Sequence, residues 1–325
     1  MSLPGFFAGS ALVALTALLI ERGFGYPESL FRMIRHPAVW MGSLVDALDR
    51  GWNRPGRDAR LRGGVAVAAL LAVTAAVAVP LAIVFRGVAF GFLAEGLLAA
   101  SLLAQKDLGR RVADVAAALA YGIEPGRRAV GHIVGRDTDA LDEAGVCRAA
   151  VESLAENTSD GVVAPLFWLL VGGLPGAALY KAINTADSMI GHESEQYRHF
   201  GWAAAKLDDL VNWLPARLTG LLFAAAAALG GGSGTNALAA MRRDGPRHAS
   251  PNAGWPEAAL AGALGFRLGG SRSYQGRMVD YAPMGDGRAD LGPEDIGKAL
   301  VLYRRTLDLV AGATLALALV AILFA

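Results

Sequence analysis

The chain has 325 residues, 54% of them hydrophobic and only 18% charged, with a mean hydropathy of +0.39. That balance excludes an average soluble protein and points to an all-α polytopic membrane protein. A net charge of +1 gives no sign of a nucleic-acid partner, and the lone Cys147 rules out an internal disulfide and any multi-cysteine zinc site.

A span needs roughly 20 mostly apolar residues. Residues 3–20 qualify; no Lys or Arg precedes them and no small-residue cleavage site follows, so they read as a first membrane helix rather than a signal peptide. Residues 64–85 and 87–104 follow, separated by Arg86, and predict a tight helical hairpin. Within the second of these, Glu95 stands alone in apolar surroundings, where an ionisable group is functional by default. Residues 162–180 are apolar but carry Pro165, Gly172, Gly173 and Pro175, which predicts either a kinked span or a broken, re-entrant one. Residues 217–231 make a short candidate, 254–270 read as interfacial, and 307–325 make a clean span. The expectation is therefore a single membrane-embedded domain over 1–325, with about five to six transmembrane helices and amphipathic polar connecting helices.

Between the spans, Lys and Arg number eight in 21–62, seven in 105–161, three in 181–216 and ten in 232–306. The positive-inside bias puts the first, second and fourth segments in the cytoplasm and the third outside. Six spans would leave both termini outside.

Three stretches carry polar chemistry against this background. In "AAVESLAENTSDG", Glu152, Glu156 and Asp160 are spaced i, i+4, i+8 and share one face if the segment is helical. Like charges so placed repel by a few tenths of a kcal/mol per pair. A solvated face tolerates that; a hard-cation site uses it, because Mg²⁺ takes a few carboxylates and leaves room for phosphate oxygens and water. The run into lipid-depth sequence favours the second reading. In 180–218, Lys181, Asn184 and Ser188 form a stripe with Asp187 beside it, and Asp208–Asn212 and Asp209–Trp213 are i, i+4 pairs. A surface-lying linker helix usually carries Lys and Arg on its polar face, whereas this one is acidic and amide-rich. In 247–265, Pro251 and Pro256 punctuate a turn, Trp255 suits an interfacial anchor, and His248 and Asn252 stand out as more than structural. "GPEDIGKA" at 292–299 mimics a P-loop, but Ala299 replaces the Mg²⁺-binding Ser/Thr and no strand precedes it. Pro293, Glu294 and Asp295 read instead as a helix's first turn.

The blocks "GRDTDALDEAGVCRAAVESLAENTSDGVVAPLFW", "YKAINTADSMIG", "YRHFGWAAAKLDDLVNWLPARLT" and "SPNAGWPEAALAGALG" resemble, in that order, the CobD/CbiB family of cobalamin biosynthesis, adenosylcobinamide-phosphate synthase. The likeness covers nearly the whole chain, including "HPAVWMG" after the first span; one departure is Glu21 where the family often has Asp, which keeps the charge. The resemblance implies a multi-pass enzyme of the bacterial cytoplasmic membrane. It would join the free propionate of adenosylcobyric acid to aminopropanol, usually as its O-phosphate, by ATP-dependent amide formation, giving adenosylcobinamide phosphate. ATP and Mg²⁺ are implied in the same way, as are the corrinoid, the amine, the lipid bilayer and other cobalamin-pathway enzymes as partners.

A carboxylate does not react with an amine at neutral pH and must be activated, which calls for a metal and cations around the transferred charge. On that basis Glu156, Asp160, Asp187, Asp208 and Lys181 are the catalytic candidates. Glu152, Glu156, Asp160 and Asp209 are the metal candidates. Asn157, Asn184, Arg198, Trp202, Asn212, Arg217 and Asn252 are the substrate-binding ones, with Trp202, Trp213 and Trp255 lining a corrin-sized cavity. The competing expectations are a transporter for corrinoid intermediates, for which the "VGGLPGA" break is the main argument, and a non-catalytic scaffold.

Overall fold

The computed structural model describes residues 3–192, 194–274 and 276–324. Their helices are α1 (Leu3–Phe24), α2 (Glu28–Ile34), α3 (Pro37–Trp52), α4 (Ala59–Arg86), α5 (Gly91–Ala100), α6 (Gln105–Leu119), α7 (Ile123–Gly131) and α8 (Glu143–Thr158). A π-turn, Ser159–Val163, leads into α9 (Ala164–Ile190). Then come α10 (Trp202–Leu229), α11 (Gly234–Asp244), α12 (Gly254–Leu264), strands β1 (Leu268–Tyr274) and β2 (Arg277–Met284), and α13 (Pro293–Leu323). Among the described residues, five helical stretches are long and apolar enough to cross a membrane: Gly5–Phe24, Ala59–Arg86, Glu143–Ile190, Trp202–Leu229 and Pro293–Leu323. The all-α polytopic expectation holds, with one small antiparallel hairpin, β1–β2, added to it.

Contacts divide the chain into two compact units. Unit 1 comprises residues 1–104, 164–212 and 311–325; unit 2 comprises 105–163 and 213–310. Unit 1 packs α1, α3, α4, α5 and α9 together. Its core includes Val45, Val67, Leu70, Ala186, Ile190 and Phe200. Gly63 lets α4 approach the chain closely, since a Cβ there would lie 1.9 Å from the Phe200 carbonyl oxygen. The residues 87–104 do not span. They form the ten-residue α5, about 15 Å long at 1.5 Å per residue, half of a hydrocarbon core.

The charge-count topology is also corrected within unit 1. The Tyr197 hydroxyl donates to Asp49 Oδ2 at 3.1 Å and Asn53 Nδ2 to the Gln196 carbonyl at 3.5 Å, so the segments after α1 and after α9 lie on one side of the membrane. The positive-inside rule is a bias over loops, and direct packing overrides it.

The break read from "VGGLPGA" is real. Gly173 adopts φ +62°, ψ −160°, a conformation open to glycine, and kinks α9. Glu95 of α5 explains how the break is tolerated. Fully buried, it accepts the Leu174 amide at 3.3 Å, and Arg86 donates to it from Nε and Nη2, both at 3.2 Å. Arg86 also reaches Ser10 Oγ at 3.1 Å. The freed backbone donor is thus satisfied internally, as apolar surroundings demand. A second break in hydrogen bonding is healed in the same unit. Pro215 has no N–H for the Val211 carbonyl, and Trp168 Nε1 fills that acceptor at 3.1 Å.

Unit 2 is built around α8, whose start is fixed by Asp142 Oδ1 accepting the Gly145 amide at 2.7 Å. Val146, Val151, Leu154, Phe223, Leu260, Ile296 and Tyr303 are among its buried residues. The hairpin is anchored rather than floating. Asp137 Oδ2 accepts Ser273 Oγ at 2.6 Å and the Gly276 amide at 2.8 Å, while Asp244 Oδ2 accepts the Gly285 amide at 2.9 Å.

Candidate active site

The polar residues singled out in the sequence divide between the units. Lys181, Asn184, Asp187, Arg198, Trp202, Asp208, Asp209 and Asn212 belong to unit 1; Glu152, Glu156, Asn157, Asp160, Arg217 and Asn252 belong to unit 2.

Unit 1 assembles the denser cluster, on α9 and the start of α10. Lys181 Nζ donates to Asn184 Oδ1 at 3.2 Å, and Asn184 Nδ2 donates to Asp208 Oδ1 at 3.4 Å. Asn212 Nδ2 donates to Asp208 Oδ2 at 2.9 Å, and the Tyr180 hydroxyl donates to Asn212 Oδ1 at 2.9 Å. Four side chains thus converge on one carboxylate, two directly and two through the amides they turn. The i, i+4 pairing of Asp208 with Asn212 was readable; Tyr180 was not singled out. Its signal was present, because a tyrosine among apolar residues needs a partner for its hydroxyl.

The remaining unit 1 candidates make contacts of their own. Asp209 pairs with Lys206 at 2.9 Å. Arg198 lies 3.5 Å from the His199 ring, and Trp202 stacks under Arg60 at 5.4 Å. Asp187 is accommodated by Gly191, where a Cβ would lie 1.9 Å from its Oδ1.

In unit 2, Glu152 is engaged structurally. Arg136 Nη2 lies 2.9 Å from its Oε2 and the Gly269 amide donates to its Oε1 at 2.7 Å, tying α8 to the hairpin. Asn157 Nδ2 bonds Ser153 O at 2.9 Å and Ser153 Oγ at 3.2 Å. Asp160 sits in the π-turn, a wider coil often found at functional sites. The predicted acidic stripe is not uniform, since Glu152 is buried and Glu156 exposed. Among the described residues no three His, Cys, Asp or Glu side chains come together as a metal-holding group. Of the set Glu152, Glu156, Asp160 and Asp209, an arginine takes the first.

Arg217 forms the second feature of unit 2. Its guanidinium lies between the Trp213 and Trp255 rings, 4.3 and 4.4 Å from their centroids. Nη1 donates to the Trp213 carbonyl at 2.6 Å and Asn252 Oδ1 at 3.2 Å, and Nη2 to the Pro251 carbonyl at 3.3 Å. His248 joins this region to the hairpin, stacking on Tyr281 at 5.8 Å with Nε2 lying 3.7 Å from Glu257 Oε1.

Residues 14–303 match the family described as CobD/Cbib protein. The chain belongs to the CobD/CbiB family. It is 48% identical over 315 residues to the Cobalamin biosynthesis protein CobD of Rhodobacter capsulatus, covering 97% of this chain and 98% of that protein. It is 49% identical over 319 residues to the protein of the same name from Brucella suis biovar 1, covering 95% and 97%. To that of Rhizobium meliloti it is 48% identical over 321 residues, covering 96% and 98%. No solved structure matches the chain.

Proposed function

We propose that this CobD/CbiB family member acts in cobalamin biosynthesis as an amide-forming ligase of the bacterial cytoplasmic membrane. It joins adenosylcobyric acid, through its free propionate, to aminopropanol phosphate or aminopropanol, giving adenosylcobinamide phosphate or its unphosphorylated counterpart. The observation that carries the proposal is the Asp208 cluster on two helices long and apolar enough to cross a membrane. An ionisable cluster at such a place is a functional site by default.

The chemistry needs a base, because an amine that attacks an acyl carbon must shed a proton as the C–N bond forms. Asp208 takes that proton. Asn184 and Asn212 donate to its two oxygens and so aim the carboxylate, while Lys181 places a cation beside it. ATP, as co-substrate with Mg²⁺, would supply the phosphoryl group that turns the propionate into an acyl phosphate, leaving ADP, and the acyl C–O bond would break as the C–N bond forms, releasing inorganic phosphate. Mg²⁺ bound through nucleotide phosphates needs only one or two carboxylates, so the missing protein cage does not oppose it. Arg217 spends three of its five donors on carbonyl and amide oxygens, keeping it rigid while leaving N–H groups for a phosphate oxygen.

The test is purified protein with adenosylcobyric acid, Mg²⁺-ATP and each amine, with the corrin product followed by mass spectrometry. ATP-dependent product from wild type and none from Asp208→Asn supports the ligase; no product with either amine sinks it. The kink at Gly173 beside the buried Arg86–Glu95 pair favours the second reading, a corrinoid transporter. ATP-independent uptake of adenosylcobyric acid into proteoliposomes would decide for that alternative.

A further inference from the structure

Unit 1 has an apolar groove that neither reading uses. Its cavity of about 230 Å³ is lined by Trp40, Met41 and Leu44 of α3 and by Val73, Val77 and Leu81 of α4, among others. The three α4 residues recur every four positions and so form one stripe; they are 49%, 59% and 37% exposed. The hydroxyls in the lining are committed to their own chain, Thr74 Oγ1 to the Leu70 carbonyl at 2.8 Å and Ser101 Oγ to Leu98 at 2.6 Å. The groove therefore offers an occupant dispersion contacts and burial.

Its rim has a different chemistry. Trp40 Nε1 donates to the Ile34 carbonyl at 2.8 Å, which fixes the end of α2 beside the residue that lines the groove. Helix α2 has no buried residue; Leu30, Phe31, Met33 and Ile34 are all exposed, and Arg32 and Arg35 accompany them. Among the described residues neither arginine is held in an ion pair. This segment begins four residues after Phe24, so it follows directly on the end of the candidate span Gly5–Phe24, where a boundary with the headgroups is expected. Exposed apolar side chains beside cations at that boundary match acyl chains beside anionic headgroups.

We propose that this groove binds one anionic phospholipid, an acyl chain lying along Val73, Val77 and Leu81 and its headgroup phosphate meeting Arg32 and Arg35. The occupant is a lipid rather than a soluble ligand because the lining is apolar along a helix long enough to cross a membrane, and anionic because Arg32 and Arg35, against the single acid Glu28, stand at the end of α2 that Trp40 holds beside the groove.

The experiment reconstitutes the full chain in phosphatidylcholine nanodiscs containing phosphatidylglycerol, transfers it to mild detergent, and counts retained lipids by native mass spectrometry. Wild type keeps a single phosphatidylglycerol. Val77→Trp, an exposed position that fills the groove, lowers the retained fraction about tenfold. Arg32→Ala with Arg35→Ala keeps the groove and cuts the preference for phosphatidylglycerol over phosphatidylcholine roughly thirtyfold, about fivefold for each cation lost. The arginine variant touches no packing, so it reports even where the tryptophan variant unfolds. Lipid-free wild type, retention unchanged in both variants, or a dimer mass in place of the lipid, with a second copy covering the groove, would each overturn the proposal.

Discussion

Lys181 has no acceptor, so Asn184 must turn its oxygen to it and its amide nitrogen to Asp208. An ionised Asp208 likewise only accepts, so Asn212 turns its nitrogen there and leaves its oxygen for the Tyr180 hydroxyl. Asp208→Asn puts a donor where two donors already point, and the turnover number should fall about 10²–10⁴-fold, the span typical of a lost general base. Tyr180→Phe leaves Asp208 intact but lets Asn212 turn; its effect on product formation should be smaller, roughly three- to tenfold, the worth of one hydrogen bond. A variant order reversed from this would place the chemistry elsewhere. Asp244 gives a stability prediction. Burial alone would push its carboxyl up, but hydrogen bonds from Arg243 and the Gly285 amide, and the charges of Arg243 and Arg247, hold it below the usual carboxylate range. Its contribution is therefore fully present above the unfolded value of about 3.9 and lost as pH falls through the lower folded value. Asp244→Asn should lower the unfolding midpoint at pH 7 and differ less from wild type as pH drops towards that range. Equal differences at both pH values would remove Asp244 from this role.

At the scale of elements, the kink in α9 and the short α5 depend on one another. Glu95 receives the backbone N–H that Gly173 frees, and Arg86 neutralises Glu95. Glu95→Ala leaves a mostly buried guanidinium uncompensated and should cost about 3–5 kcal/mol, read as a lower thermal midpoint in detergent. Glu95→Leu with Arg86→Met should recover much of that loss, because apolar replacement of a whole buried pair is often neutral. A double variant as unstable as the single one would mean that the Leu174 contact, not the charge pair, holds the break. The sequence announced the kink through its glycines and prolines and flagged Glu95 as out of place. It concealed α5, because hydropathy cannot distinguish a ten-residue helix with apolar flanks from a span. The hairpin was missed for a related reason: "SRSY" and "RMVDYAPM" lack a clear apolar alternation, and the strands are secured by Asp137, Glu152 and Asp244 from distant positions.

For the whole molecule, packing within each unit makes predictions about membrane sides that charge counting alone did not. In a Cys147→Ser background, Arg50→Cys and Glu195→Cys should label from the same side, since their segments touch through Tyr197 and Asp49. Arg110→Cys and Arg242→Cys should also share a side. Their segments pack within unit 2, and with six and seven Lys or Arg in 105–142 and 230–292 the positive-inside bias predicts that side to be the cytoplasm. Opposite labelling within either pair would contradict the packing. Membrane class, the family and the Asp208–Asn212 pairing could be determined from the sequence alone, because apolar length, i, i+4 spacing and long ordered blocks are local or linear properties. Only the tertiary structure decided that Glu152 is tied to Arg136, that Tyr180 completes the Asp208 cluster, and that Glu95 of α5 receives the Leu174 amide. Each of these depends on which distant group reaches a buried polar atom, and a buried polar group takes the partner that folding brings to it.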